Sequence, residues 1–322
     1  MALPPTTQTV SVVVPCYNAR AFVPQCLESV VAQQYPHVEI VVVDDGSSDG
    51  SAGAIESAFG TAVRVVRTPN RGPSAARNLG TSMATGKFIQ YLDADDLLAP
   101  GKLQTQIAAL ENARAGVAYG DWQKLIPGQD GAFQPGPVVS REIEGPAELA
   151  LFTDFWCPPA AYLFRREIVE KVSWNLGLPV IQDARFALDC ALHGARFVYT
   201  PGIAAYYRVH KSGSVSTRNS IAFVRDCLQN AIEVEQWWMQ HEGITPQRRK
   251  ALLQVYAYPA RASFENDRAT FDTACAALER LQPGYVPDSP RPLALVSRLA
   301  GYRRAESVAL AYRKAKRLVQ VS

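Results

Sequence analysis

Two short runs constrain the fold more than anything else in the chain: VSVVVPC at 10–16 and VEIVVVD at 38–44. Successive side chains of a strand point to opposite faces, so a run that is apolar at nearly every position is buried on both. Between the runs, Phe22, Val23, Cys26, Leu27, Val30 and Val31 recur at helical spacing. The alternation continues with a small-residue helix near 51–59, a strand at 63–67, and a helix at 72–86 that Pro73 and Ser74 open and Gly86 stops. A strand at 87–93, a helix at 100–116 and a strand at 117–122 follow. This order, with short connections, predicts an α/β fold with a mostly parallel central sheet and helices on both faces. Such sheets bind ligands at the carboxyl ends of their strands. Asp44, Asp45, Asp93, Asp95 and Asp96 all fall there.

Residues 126–215 are less regular, with strand-like runs at 160–164, 195–200 and 203–209. From about 219 the pattern turns helical, with segments at 220–240, 246–264 and 271–281, a Pro-rich linker at 283–292 and a basic helix from about 293. A domain at 1–218 and a helical extension at 219–322 are therefore expected. A net charge of +3 is too small to signal general affinity for nucleic acid. No stretch of 18 apolar residues suggests a membrane span, and the opening MALPPTTQTV has no basic-then-apolar leader. The six cysteines include no CxxC pair and read as buried, reduced thiols of a cytoplasmic protein.

Three segments carry chemistry. In YLDADD (91–96), Asp93 and Asp95 share a face, with Cα atoms roughly 6.6 Å apart. That spacing suits one carboxylate on a divalent cation and another on a neighbouring ligand group. In VVVDDGSSDGS (41–51) a buried strand opens into Asp44 and a Gly46-Ser47 turn where a backbone can approach a ligand. In NRGPSAARNLG (70–80), Arg71 and Arg77 lie near a helix opening, where the dipole disfavours cations unless an anion binds. Each segment alone also has a plainer reading. The aspartates and serines serve as caps, Asp96 caps the helix near 100, and the arginines are solvated.

With VVVPCYNA (12–19), these segments in this order resemble family 2 glycosyltransferases of the GT-A fold, over roughly residues 8–215. The resemblance implies nucleotide-sugar binding by about 8–125, and the acceptor side and catalytic base within about 126–218. Pro15, Tyr17 and Asn18 would line the nucleotide pocket, and Asp44 would meet a uracil or thymine base beside Gly46 and Ser47. Arg77 would reach the base or phosphates and Asp93 the ribose. Ala94 shares that donor-binding turn, and Asp95 would hold Mg²⁺ or Mn²⁺ bridging the diphosphate.

The family's base matches Asp183 in VIQDARFALDCALHGARF (180–197), with Gln182 in place of the usual Glu. The plainer reading of Asp183 is a helix N-cap. YYRVHKSGSVST (206–217) resembles the segment that closes over the diphosphate. There His210 reads as a metal ligand or phosphate donor, and Arg208 and Lys211 as offsets to leaving-group charge. Trp156, beside Pro158 and Pro159, reads as a wall for a sugar ring or as core.

The implied activity is inverting transfer from a UDP- or dTDP-linked sugar to a saccharide or lipid-linked hydroxyl, in bacterial cell-surface glycan synthesis. A nucleotidyltransferase or sugar-nucleotide pyrophosphorylase is the alternative enzyme. It needs a Gly-rich basic loop where PCYNAR stands. A non-catalytic nucleotide- or carbohydrate-binding module is the other alternative, and intact Asp95 and Asp183 speak against it.

Residues 291–317 carry eight basic residues against Glu306, and Leu295, Leu299, Tyr302, Ala309, Tyr312 and Val319 fall near one helical stripe. Such a helix either packs on the catalytic domain or contacts an anionic membrane peripherally, at its inner face.

Overall fold

The computed structural model describes residues 8–210, 220–288 and 290–321, with side chains to residue 311. The valine-rich runs form β1 (Val10–Cys16) and β2 (Val38–Asp44), which pair in parallel from Val10 opposite Val38 to Cys16 opposite Asp44. β3 (Arg64–Arg67) joins β2, and β4 (Phe88–Tyr91) joins β1, both in parallel. Helices α1 (Val23–Val31), α2 (Ser51–Phe59), α3 (Pro73–Met83) and α4 (Lys102–Ala113) alternate with these strands. Val12, Val13 and Val14, like Val41, Val42 and Val43, are wholly buried in succession. Both faces of the sheet are therefore covered, which is why these strands carry no polar alternation.

Beyond β4 the sheet becomes mixed, in the order β3-β2-β1-β4-β8-β6-β9-β5. The added strands are β5 (Leu97–Leu98), β6 (Val117–Pro127), β7 (Phe133–Val139), β8 (Tyr162–Arg165) and β9 (Phe197–Arg208). β8 is antiparallel to β4 and β6, and β9 is parallel to β6. β5 runs antiparallel to β9, and β7 antiparallel to β6. The parallel arrangement thus holds across β1–β4. The runs expected at 195–200 and 203–209 are one strand, whose register shift against Gly120–Trp122 absorbs the Pro-Gly between them. Helices α5 (Ala147–Thr153), α6 (Arg166–Val169) and α7 (Gln182–Leu192) complete this unit.

Close packing of α3 on β1 and β2 depends on Gly80. A Cβ there would stand 2.4 Å from Val13 Cγ1 and 3.3 Å from Val43 Cγ2. Both contacts are branched side chains wedged in the core, so the helix or the sheet must move. Gly80→Ala is expected to cost about 1–3 kcal/mol, read as a lower urea midpoint. An unchanged midpoint would mean that α3 rides more loosely than this contact implies.

Residues 1–214 and 215–322 form two compact units. The second contains α8 (Ser220–His241), α9 (Pro246–Ser263), α10 (Arg268–Leu281), α11 (Arg291–Ala300) and α12 (Tyr302–Val321). Trp238, Tyr256 and Phe271 fill its core. The single tail helix expected from the sequence is two, because Gly301 breaks it at φ 81°. The break divides the expected stripe. Leu295 and Leu299 are 60% and 81% exposed, whereas Tyr302 is buried edge-on to Tyr285. Glu306, the tail's acid, is fully buried and accepts a hydrogen bond from Tyr302 Oη at 3.0 Å. The side chains of Tyr312 and Val319, and the basic ones from 313 to 317, lie outside those described. Among the described residues no helix is long and apolar enough to cross a membrane. All six cysteines are free thiols.

Candidate active site

The loops after β1, β2 and β3 are laced together at the carboxyl edge of the sheet. Asn18 adopts φ 49°, and its Oδ1 accepts from the Ser48 N–H at 2.8 Å. Its own N–H donates to Ser47 Oγ at 2.9 Å. Asp44 accepts from the Ser47 N–H at 2.8 Å. Asp45 accepts from the Arg71 and Gly72 N–H groups, each at 2.8 Å, so it ties the loop before α3 to the end of β2. Gly46, at φ 80°, lets that loop approach: a Cβ there would lie 2.9 Å from the Asn70 nitrogen. Pro15 is buried within β1, while Tyr17 is 54% exposed at the mouth of these loops.

β4 leads into the Asp93-Ala94-Asp95-Asp96 turn. Arg77, on α3 and 3% exposed, forms an ion pair with Asp93. Its Nη1 donates to Gln182 Oε1 at 3.2 Å, and its guanidinium lies 4.2 Å over the Trp174 ring. Ser74 Oγ donates to the same Gln182 oxygen at 2.5 Å. Gln182 therefore satisfies two donors where the family's Glu would add a second buried charge beside Arg77. One arginine joins the Asp93 turn to the first residue of α7.

Asp95 Oδ2 lies 2.7 Å from His210 Nε2, and the imidazole packs edge-on against Phe22 and Phe133. Asp96 does not cap the helix near 100, whose N-cap is Gly101. Its Oδ1 accepts from the Arg208 N–H at 2.9 Å and so pins the end of β9 to the turn. Burial, reinforced by Asp95 and Asp93, pushes the Asp96 carboxyl well above the usual carboxylate range. The Arg208 guanidinium donates to the Asp95 carbonyl and to Gln25 Oε1, over the rings of Phe22 and Phe133. Arg208 thus braces the turn from behind. Lys211 lies outside the described residues.

Asp183 is the second residue of α7, and no side chain caps that helix. Its Oδ2 accepts from Trp156 Nε1 at 2.8 Å and its Oδ1 from the Ala184 N–H at 2.9 Å. Burial pushes this carboxyl up, while the Trp156 and Ala184 bonds pull it back. Trp156 stands edge-on to Trp122 and Tyr207, at 5.4 and 5.9 Å between centroids. The Tyr207 hydroxyl is pushed up by burial and then by Asp96, Asp93, Asp95 and Asp183. Arg77 links Asp93 to the start of α7, and Arg208 links Asp95 and Asp96. From the sequence Trp156 reads as a wall for a sugar ring or as core; its bond to Asp183 spans 27 residues and leaves no local signal. Gln25, Ser74 and Trp174, which hold the charged groups in place, had no signal either.

Among the described residues no three of His, Cys, Asp and Glu gather as a metal cage. Asp95 and His210 offer one carboxylate oxygen and one imidazole nitrogen. A hard cation held by these two would need other oxygen ligands to complete its shell.

A sheet of this topology, with acidic turns gathered at its carboxyl edge, is that of the GT-A fold. The chain matches the glycosyl transferase family 2 model over residues 11–172, half of its length, and belongs to that family. The glycosyltransferase GlyG of Streptococcus pneumoniae is 25% identical over 242 residues, 69% of this chain and 78% of its own length. An uncharacterized glycosyltransferase of Nostoc is 31% identical over 215 residues, 62% of this chain and 65% of its own. Staphylococcus aureus TarS 1–349 in complex with UDP superposes with a TM-score of 0.65 at 19% identity, over 95% of this chain and 92% of that one. The mannosyltransferase PcManGT from Pyrobaculum calidifontis, in complex with GDP-Man and Mn²⁺, gives 0.56 at 22% identity, over 98% and 83%. These structures share the fold of this chain.

Proposed function

We propose that the protein transfers a sugar from a UDP- or dTDP-linked donor to a hydroxyl of a saccharide or lipid-linked acceptor, with inversion, in the building of bacterial cell-surface glycans. Residues 1–218 act as the catalytic domain in this reading, with the donor on 8–125 and the acceptor on 126–218. The observation that carries it is the Asp93–Arg77–Gln182 connection, which ties the donor-side turn to the first residue of the helix whose second residue is Asp183. The UDP, UDP-GlcNAc and GDP-Man complexes of the structural neighbours support a donor of this class.

Asp44 and the Asn18–Ser48 loop pair accept the base, and Asp93 the ribose. The acceptor hydroxyl approaches the anomeric carbon from the face opposite the diphosphate. Its proton passes to Asp183 as the new C–O bond forms and the bond to the diphosphate breaks. Asp95 and His210 would hold the divalent cation, which, when bound, supplies charge stabilisation to the leaving diphosphate. The Arg208 brace fixes the Asp95 backbone, so the carboxylate is positioned before the donor arrives. Incubation with UDP- and dTDP-sugars and Mn²⁺ tests the reading: slow nucleoside diphosphate release is expected, and an acceptor product of inverted configuration. No release from any such donor, or a retained configuration, would overturn it.

Trp156→Phe keeps the aromatic packing and removes one N–H from Asp183. A hydrogen bond to a charged group is worth about 1.5–3 kcal/mol. Its loss leaves the ionised base less stabilised, so its pKa rises. The acid limb of kcat/KM is therefore expected to move to higher pH, with donor KM unchanged. An unmoved limb would make Trp156 a packing residue only.

The exposed Leu295 and Leu299, four residues apart on α11 beside Arg291 and Arg298, support peripheral contact with an anionic inner membrane face. Each basic residue near such a surface adds about 1 kcal/mol. The full-length chain is expected to sediment with anionic vesicles at low salt, and Leu295→Glu with Leu299→Glu to remain in solution. A wild-type chain left in the supernatant would refute the contact.

A further inference from the structure

The helical unit carries an open cleft of about 870 Å³, lined by residues of α9, the segment after α10, and Leu293 and Tyr302. Arg249 and Lys250 line it from the start of α9, and Arg261 from its end. At 1.5 Å rise per residue, Lys250 and Arg261 stand about 16 Å apart along the helix. Neither they nor Arg249 has an acid within ion-pair distance among the described residues. Nearby Arg248, Arg268 and Arg280 are each paired, with Glu242, Asp272 and Glu235. Asp288 is the one acid in the lining, and it is exposed. Arg249 also sits in the first turn of α9, where the helix dipole opposes a cation. Three like charges on one concave wall are an arrangement that a bound anion relieves.

Between the two cationic ends lie Leu253, Ala257 and Tyr258, the last 48% exposed, facing Val286 and Pro287. These apolar side chains can take the face of a ring. A lipid with one headgroup would satisfy one end only.

We infer that this cleft binds an anionic saccharide chain, with carboxylate or phosphate groups meeting Arg249 and Lys250 at one end and Arg261 at the other. Guanidinium pairs with both kinds of anion through parallel N–H bonds, and exposed Tyr258 offers a ring face between them. That this chain is the acceptor rests on the proposed function; the binding does not. The full-length protein is titrated with fluorescent hexagalacturonate, a six-unit glycerol-phosphate oligomer and neutral maltohexaose, and UDP binding is measured in the same samples. Saturable binding of hexagalacturonate is expected, weakened by salt, with weaker binding of the ringless glycerol-phosphate oligomer and none of maltohexaose. Lys250→Glu and Arg261→Glu should each weaken it about tenfold or more, with melting temperature and UDP affinity unchanged. Arg298→Glu, outside the lining, should leave it within about twofold. Absence of anionic-oligomer binding while UDP still binds overturns the cleft and spares the family's reaction. Equal affinity for maltohexaose, an equal loss in Arg298→Glu, or capture of anionic vesicles in place of the oligomers also overturns it.

Discussion

Asp183→Asn is expected to lower kcat by roughly 10²–10⁴-fold, the usual worth of general base catalysis, with donor affinity near that of the wild type. The amide keeps the size of the carboxyl. Its oxygen still accepts from Trp156 Nε1 or from the Ala184 N–H, so α7 has no reason to unravel. What is lost is the basic oxygen that, in the proposed reaction, would take the acceptor's proton. The pH profile gives a second reading of the same group. Burial raises the Asp183 carboxyl, with Trp156, Ala184 and Arg77 opposing and Asp93 reinforcing. The base acts only when ionised, so activity falls as pH drops through its folded-state pKa. That acid limb is expected above the value near 3.9 of a free aspartate. A collapse of donor affinity in Asp183→Asn, measured by calorimetry with UDP, would reassign the residue to binding or structure.

How much of this was written in the sequence depends on how local each signal is. β1 and β2 were legible because burial on both faces removes polar residues from a continuous run. The acidic turns were legible because a strand's end fixes where its next residues lie. The mixed half of the sheet was not. β8 is four residues long, and its partners, β4 and β6, are set by tertiary pairing that no period encodes. The tail failed for a different reason. A helical stripe assumes one unbroken helix, but Gly301, at φ 81°, resets the phase, so Tyr302 is buried while Leu295 and Leu299 are exposed. Asp96 read as a helix cap because a cap is the commonest local use of Asp; its partner is 112 residues away. Within the site the charged residues could be picked out singly. Their links through Gln182, Trp156 and Gln25 could not, since each crosses from one element to another.

Asp95→Asn is expected to abolish both transfer and the divalent-dependent part of nucleotide binding. Hard cations take carboxylate oxygen, and an amide brings neither the charge nor the affinity. Charge stabilisation at a leaving diphosphate is worth several kcal/mol. At 1.36 kcal/mol per factor of ten, the loss is about 10²–10³-fold at least. The substitution separates this role from a structural one. The Asn side chain can still hydrogen-bond His210, and the Asp95 backbone carbonyl that receives Arg208 is untouched. The turn, the end of β9 and the melting temperature should therefore stay as they are. The Asp95 side chain is 38% exposed and that of His210 31%, so the pair contributes little to stability by itself. Titrating Mn²⁺ into the protein with UDP, and following UDP affinity, reads the cation without depending on turnover. Wild type should show affinity rising with Mn²⁺, and Asp95→Asn a flat response at the metal-free level. His210→Ala should fall between them, because it removes one ligand and leaves the charge. Full wild-type activity in EDTA, together with undiminished activity of Asp95→Asn, would show that the leaving diphosphate is stabilised by protein cations alone. Arg208 and Arg77 would then be the groups to test next.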